Sequence, residues 1–160
     1  MRRTICGSLL SLLLLGCPQD GWSQPVVWAT YRGTSGVVAD FPSSIFVVDA
    51  GPTQRGDGRR LKSMSGQNEF AAYSLPRDRS ITPQSYLRTN LAVDPSAISY
   101  QRVTSRFFAL SSVHGGKIYY SRCNFRSAIH CIYLEYPSSE KIAWDGIVTR
   151  VSHSLRSEKN

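Results

Sequence analysis

The stretch 98–136, ISYQRVTSRFFALSSVHGGKIYYSRCNFRSAIHCIYLEY, decides the fold. Apolar and polar residues alternate through 98–103, and β-branched and aromatic residues fill 106–111, 117–123 and 128–136. That composition and alternation predict strands. His114-Gly115-Gly116 supplies a tight turn between the second and third runs, because glycine accepts the backbone angles a hairpin needs. Three hairpin-linked connections in a row predict an antiparallel sheet.

Toward the N-terminus the pattern continues. VVWATY (26–31) and VVADF (37–41) read as strands on either side of the turn 32–36, and Pro42 stops the second. The apolar run 45–48 fits either a strand or a short buried turn. GPTQRGDGRR (51–60) reads as a polar loop, Leu61–Met64 as the opening of another strand, and 69–75 as a strand after the turn Ser65-Gly66-Gln67-Asn68. Thr82-Pro83-Gln84 predicts a helix start, with the Thr82 hydroxyl as cap and proline in the first turn. Its stripe is Tyr86, Leu87 and Leu91, extending at most to Val93, and it ends before Asp94-Pro95. Downstream, Trp144, Ile147, Val148, Val151 and Leu155 recur at helical spacing, with Ser138 or Ser139 as the cap. Strands, helix, strands, helix is an α+β order: a central antiparallel sheet flanked by helices.

Residues 1–23 read as an export signal. Arg2 and Arg3 precede the apolar run 5–15, and the small residues Gly21 and Ser23 precede Gln24. The run is shorter than a membrane-spanning helix requires. Leu14-Leu15-Gly16-Cys17 offers an alternative, a lipoprotein signal over 1–16 with Cys17 lipidated. Residues 24–160 then form one α+β domain, periplasmic or secreted in the first case and membrane-anchored in the second. Export permits a disulfide, and Cys123 and Cys131 flank the short segment NFRSAIH between two strands. Closing so short a loop removes roughly 2–3 kcal/mol of unfolded-state entropy. A redox role calls for CxxC at a helix start, which this spacing lacks.

The chain carries a net charge of +8, with fifteen arginines against four lysines. Such a balance favours anionic partners, and export turns the expectation from nucleic acid toward envelope components. Arg55, Arg59 and Arg60 in the glycine-rich loop, with Arg77 and Arg79 further on, are the candidate anion-binding residues, since guanidinium groups grip phosphate and carboxylate bidentately.

Catalytic signatures are sparse. No HExxH, GxSxG or P-loop sequence occurs, and no cofactor or metal site is expected. Ser112 stands near His114, His130 precedes Cys131, and Glu69 and Glu135 on separate strands would be a carboxylate pair if the fold aligned them.

TYRGTSGVVADFP (30–42), GDGRRLKS (56–63), SGQNEFAAYSL (65–75) and the C-terminal strand-and-helix pattern through IYLEYPSSEKIAWDGIVTRVSHSL resemble uncharacterised exported proteins of alpha-proteobacteria. The resemblance covers nearly all of 24–160 and implies a PsbP/Mog1-like fold. It carries over no catalytic residues. The turn Ser65-Gly66-Gln67-Asn68 departs from the Asp-Gly pair of that pattern. The expected function is an exported, non-catalytic envelope domain that binds a partner protein, an anionic surface or a modest ligand beside the sheet. The alternative is an envelope hydrolase built on Glu135 with His130, or His114 with Ser112.

Overall fold

The computed structural model describes residues 25–91 and 93–158. The export signal 1–23, the lipoprotein alternative 1–16 and Cys17 lie outside the described residues. The elements run β1 (Trp28–Arg32), β2 (Val37–Pro42), β3 (Val48–Pro52), β4 (Asp57–Lys62), β5 (Glu69–Pro76), α1 (Pro83–Tyr86), β6 (Ile98–Val103), β7 (Phe107–His114), β8 (Lys117–Phe125), β9 (Ala128–Pro137), α2 (Lys141–Ser154) and β10 (Arg156–Ser157).

Seven strands form the main sheet in the order β3-β4-β5-β9-β8-β7-β6, all antiparallel. A smaller sheet, β1-β2-β10, closes the molecule's two described ends onto each other. This is the α+β arrangement the strand and helix order predicts.

Alternation along each strand divides the main sheet into two faces. One face presents Phe70, Ala72, Ile132 and Leu134 to β2 and α2, where Val37, Phe46, Trp144 and Val151 complete a buried core. Trp144 stacks on Tyr136 with ring centroids 4.8 Å apart. The other face presents Tyr73, Phe108, Cys123, Phe125, Ile129 and Cys131 to α1 and the turn that follows it, which cover them with Tyr86 and Leu87. Burying an aromatic or branched side chain of this size contributes about 1.5–3 kcal/mol. Both layers therefore rest on the same central strands.

Several local readings are corrected. The segment 51–60 is only partly loop: β4 begins at Asp57, and Gly58 there is a strand residue. A Cβ on Gly58 would stand 2.1 Å from the Ala72 carbonyl oxygen, so the close β4–β5 approach requires glycine. The apolar run 45–48 is a buried turn at Phe46 followed by the start of β3. Thr82 does cap α1, accepting from the Ser85 amide, but the α-helical turn spans four residues before a wider π-helical turn at Leu87–Leu91. Neither Ser138 nor Ser139 caps α2: both lie in a 3-10 turn, Ser138–Glu140, that leads straight into the helix. Among the described residues no helix is long and apolar enough to cross a membrane.

Candidate functional site

Two features of the main sheet concentrate chemistry, one at each end. The first lies where β5, β6 and β8 finish and β7 and β9 begin. The register places Pro76 opposite Ala128, Phe125 opposite Ile129 and Phe107 opposite Asn124. The turns at 104–106 and 126–127 therefore emerge side by side, next to the segment that leaves β5. The Phe125 amide donates to the Arg106 carbonyl at 2.7 Å, and Arg77 Nη1 donates to the Arg126 carbonyl at 2.7 Å. Arg79 is exposed two residues on from Arg77.

This end continues into a hollow of about 450 Å³ against the small sheet, lined by Arg32, Arg126, Arg156, Asn124, Ser157 and Glu158 among others. Arg32 pairs with Glu158 at 3.2 Å, and Arg156 stands 3.7 Å from Asp40. Among the described residues Arg126 has no carboxylate partner, and the buried Ser157 hydroxyl has no hydrogen-bond partner. Arg77 Nε is buried and unpartnered as well.

The second feature is a groove of about 590 Å³ on the α1 side of the sheet, toward the opposite end. Its floor follows the register in rows. Tyr73, Cys131, Cys123 and Phe108 form a dry row beneath α1. The next row is Arg60, Ala71, Tyr133, Ser121 and Leu110, and the one after it is Lys62, Glu69, Glu135, Tyr119 and Ser112. Lys117 and His114 follow. The groove exists because Ala71 and Ser121 on either side of Tyr133 are small, and because the segment carrying Leu91, Val93 and Asp94 overhangs the floor without filling it. Arg55 Nη1 donates to the Asn90 carbonyl at 2.7 Å, tying the β3–β4 turn to that overhang.

The carboxylates of the sheet floor are paired, whereas Arg55 and Asp94 on the groove's rim are in no ion pair among the described residues. Arg60 holds Glu69 through Nε at 2.8 Å and Nη2 at 3.3 Å, with Lys62 Nζ at 3.6 Å. Lys117 Nζ donates to one oxygen of Glu135, and the Tyr133 hydroxyl donates to the other at 2.9 Å. Burial, and then that hydrogen bond to Glu135, push the Tyr133 phenol well above its ordinary range, so it stays a donor. The hydrogen bond to Glu135 raises the Lys117 ammonium.

The structure sorts the residues singled out from sequence. Arg55 and Arg60 line the groove, whereas Arg59 projects to the opposite face of β4, where it stands 3.6 Å from Asp49. Arg77 and Arg79 belong to the other end of the sheet. The five arginines are therefore not one patch. Cys123 and Cys131 are bonded to each other as register partners. Glu69 and Glu135 are register partners too, but each of their four oxygens already accepts from a cation or a phenol. Glu135 and His130 point to opposite faces: His130 is buried against Ser74. Ser112 and His114 share the groove face, with no hydrogen bond between them among the described residues. No group of three or more His, Cys, Asp or Glu among the described residues is placed to hold a metal.

Sequence reading left out Arg32, Arg156 and Ser157, and placed Arg106 and Arg126 near the hairpins with an anion-binding patch only as the second reading, behind solvated charge. One signal pointed to the last two: no aspartate or glutamate occurs between Asp94 and Glu135, while Arg102, Arg106, Lys117, Arg122 and Arg126 do.

The architecture is that of an α+β domain with a PsbP/Mog1-like central antiparallel sheet. The chain is similar in structure to cyanobacterial PsbP (CyanoP) from Synechocystis sp. PCC 6803, with a TM-score of 0.59 at 12% identity, over 89% of this chain and 98% of that one. At that identity the likeness concerns the fold. No family model matches the chain, and no curated protein matches it.

Proposed function

We propose that the chain is an exported, non-catalytic domain of the bacterial envelope that binds anionic headgroups through the arginine end of its sheet. The observation that carries this reading is the hollow between Arg32, Arg126 and Arg156, in which Arg126 has no carboxylate partner among the described residues. Arginine forks suit phosphate oxygens, and Arg126 lies in the acid-free stretch before Glu135, whereas Arg32 and Arg156 already face Glu158 and Asp40. Arg106 and Arg126 are exposed on the turns beside the hollow, which extends the basic surface past it. Export follows from the reading of residues 1–23, and the pairing of both groove carboxylates supports a binding role over a hydrolytic one.

Co-sedimentation of the processed chain with phosphatidylglycerol and phosphatidylcholine vesicles tests it. Binding to the anionic vesicles alone is expected, weakening as salt shortens the reach of charge to about 10 Å at 0.1 M. Arg106→Glu with Arg126→Glu should abolish binding while leaving the melting temperature unchanged. Equal binding to both vesicle types, or an unaffected double variant, rejects the proposal.

A further inference from the structure

We propose that the groove at the other end of the sheet is a binding site for a neutral oligosaccharide. This goes beyond the headgroup reading and uses different residues. Three observations converge on the ligand class.

First, the groove's lining carries no net charge: the cations Arg55 and Arg60 are matched in number by the carboxylates Glu69 and Asp94. Glu69 is held by Arg60 and Lys62, and Glu135 by Lys117. A strongly charged ligand of either sign meets as many like charges as opposite ones in this lining. A neutral ligand leaves the pairs intact.

Second, the same groups form a dense lattice of directional acceptors and donors. Carboxylate oxygens, the Tyr119 and Tyr133 phenols and the Ser112 and Ser121 hydroxyls sit on adjacent strands. Strand spacing is about 4.8 Å, which sets polar groups at intervals comparable to a sugar ring. Ligands with many hydroxyls can meet such a lattice at several points at once, and each hydroxyl serves as donor and acceptor together.

Third, the floor offers planar apolar surface among those polar groups. Tyr119 and Tyr133 lie with ring centroids 6.4 Å apart, tilted by 35°. Ala71 and Ser121 leave open space beside Tyr133. The C–H face of a pyranose packs on aromatic surface while its rim hydroxyls stay hydrogen-bonded. The volume of about 590 Å³ falls within the range of small-ligand clefts, roughly 300–1,000 Å³. A second copy of the chain or a basic peptide satisfies only part of this set.

The test probes the processed chain on an array of neutral oligosaccharides built from hexoses and N-acetylhexosamines, followed by calorimetry on the best binder. At least one neutral oligosaccharide should bind in the millimolar to micromolar range. Tyr119→Ala and Glu69→Gln, each checked for an unchanged fold by circular dichroism, should weaken it about tenfold or more. Arg106→Glu with Arg126→Glu should leave saccharide affinity unchanged, which separates this site from the headgroup reading. No neutral saccharide bound across the array, binding that survives both groove variants, or binding lost with the arginine variant would overturn the proposal.

Discussion

Glu69 and Glu135 stand directly opposite each other on β5 and β9, and each is neutralised by its own cation rather than by distance. Like charges in such cross-strand positions repel. Arg60 and Lys117, on the two outer flanking strands, therefore hold the middle of the sheet together electrostatically. Arg60→Ala should destabilise the fold by about 1 kcal/mol, since the pair is only partly shielded from water. Adding Glu69→Gln should recover part of that loss, because it removes a charge left with only the more distant Lys62. Urea unfolding of the single and double variants measures both, and a double variant less stable than Arg60→Ala would contradict this account.

The Cys123–Cys131 bond ties β8 to β9 beneath α1, and both cysteines are fully buried. Replacing both by serine should cost roughly 2–3 kcal/mol through the loop it closes. The intact mass of the native protein should show a two-hydrogen deficit that persists in reductant and disappears only when denaturant is added. Reduction without denaturant would show the bond to be accessible, contrary to its burial.

His130 is buried on the α2 side of β9, and desolvation lowers its pKa below the ordinary 6.5. The Ser74 hydroxyl donates its one hydrogen to the Ser35 carbonyl at 3.1 Å. The 2.9 Å contact between Ser74 Oγ and His130 Nδ1 therefore places the imidazole hydrogen on Nδ1. The unfolded chain binds a proton at a pH where folded His130 remains neutral. Stability should be full above pH 6.5 and fall as the pH drops below that value toward the lowered folded pKa. Melting temperatures measured across this window should show the loss, and His130→Gln should flatten it. An unchanged slope in the variant would assign the pH dependence to other groups.

Much of the fold was legible because its signals are local. The strands of 98–136 announce themselves by alternation and by Gly115-Gly116, and α2 by the spacing of Trp144, Val151 and Leu155. The misreadings share a cause. The strand β4 hid in a glycine- and arginine-rich segment, because Gly58 is demanded by the close approach of Ala72 and leaves no apolar mark. The sites were less legible. Arg55, Arg59 and Arg60 are neighbours in sequence, yet the pleat sends Arg59 to the opposite face from Arg60. Arg32, Arg126 and Arg156 meet only because β10 pairs with β2 and brings the two described ends of the chain beside the β8–β9 turn.

By itself the sequence determined the α+β order, the antiparallel character of the β6–β9 region and the cysteines available for a bond. These follow from side-chain periodicity and turn chemistry within a dozen residues. Tertiary structure alone decided that Glu69 faces Glu135, that Ala71 and Ser121 open a groove around Tyr133, and that the arginines divide between two ends. Those outcomes depend on the register between strands distant in the chain. Register is set by the packing of both faces at once, since a slip of one residue would turn every buried side chain toward the wrong layer.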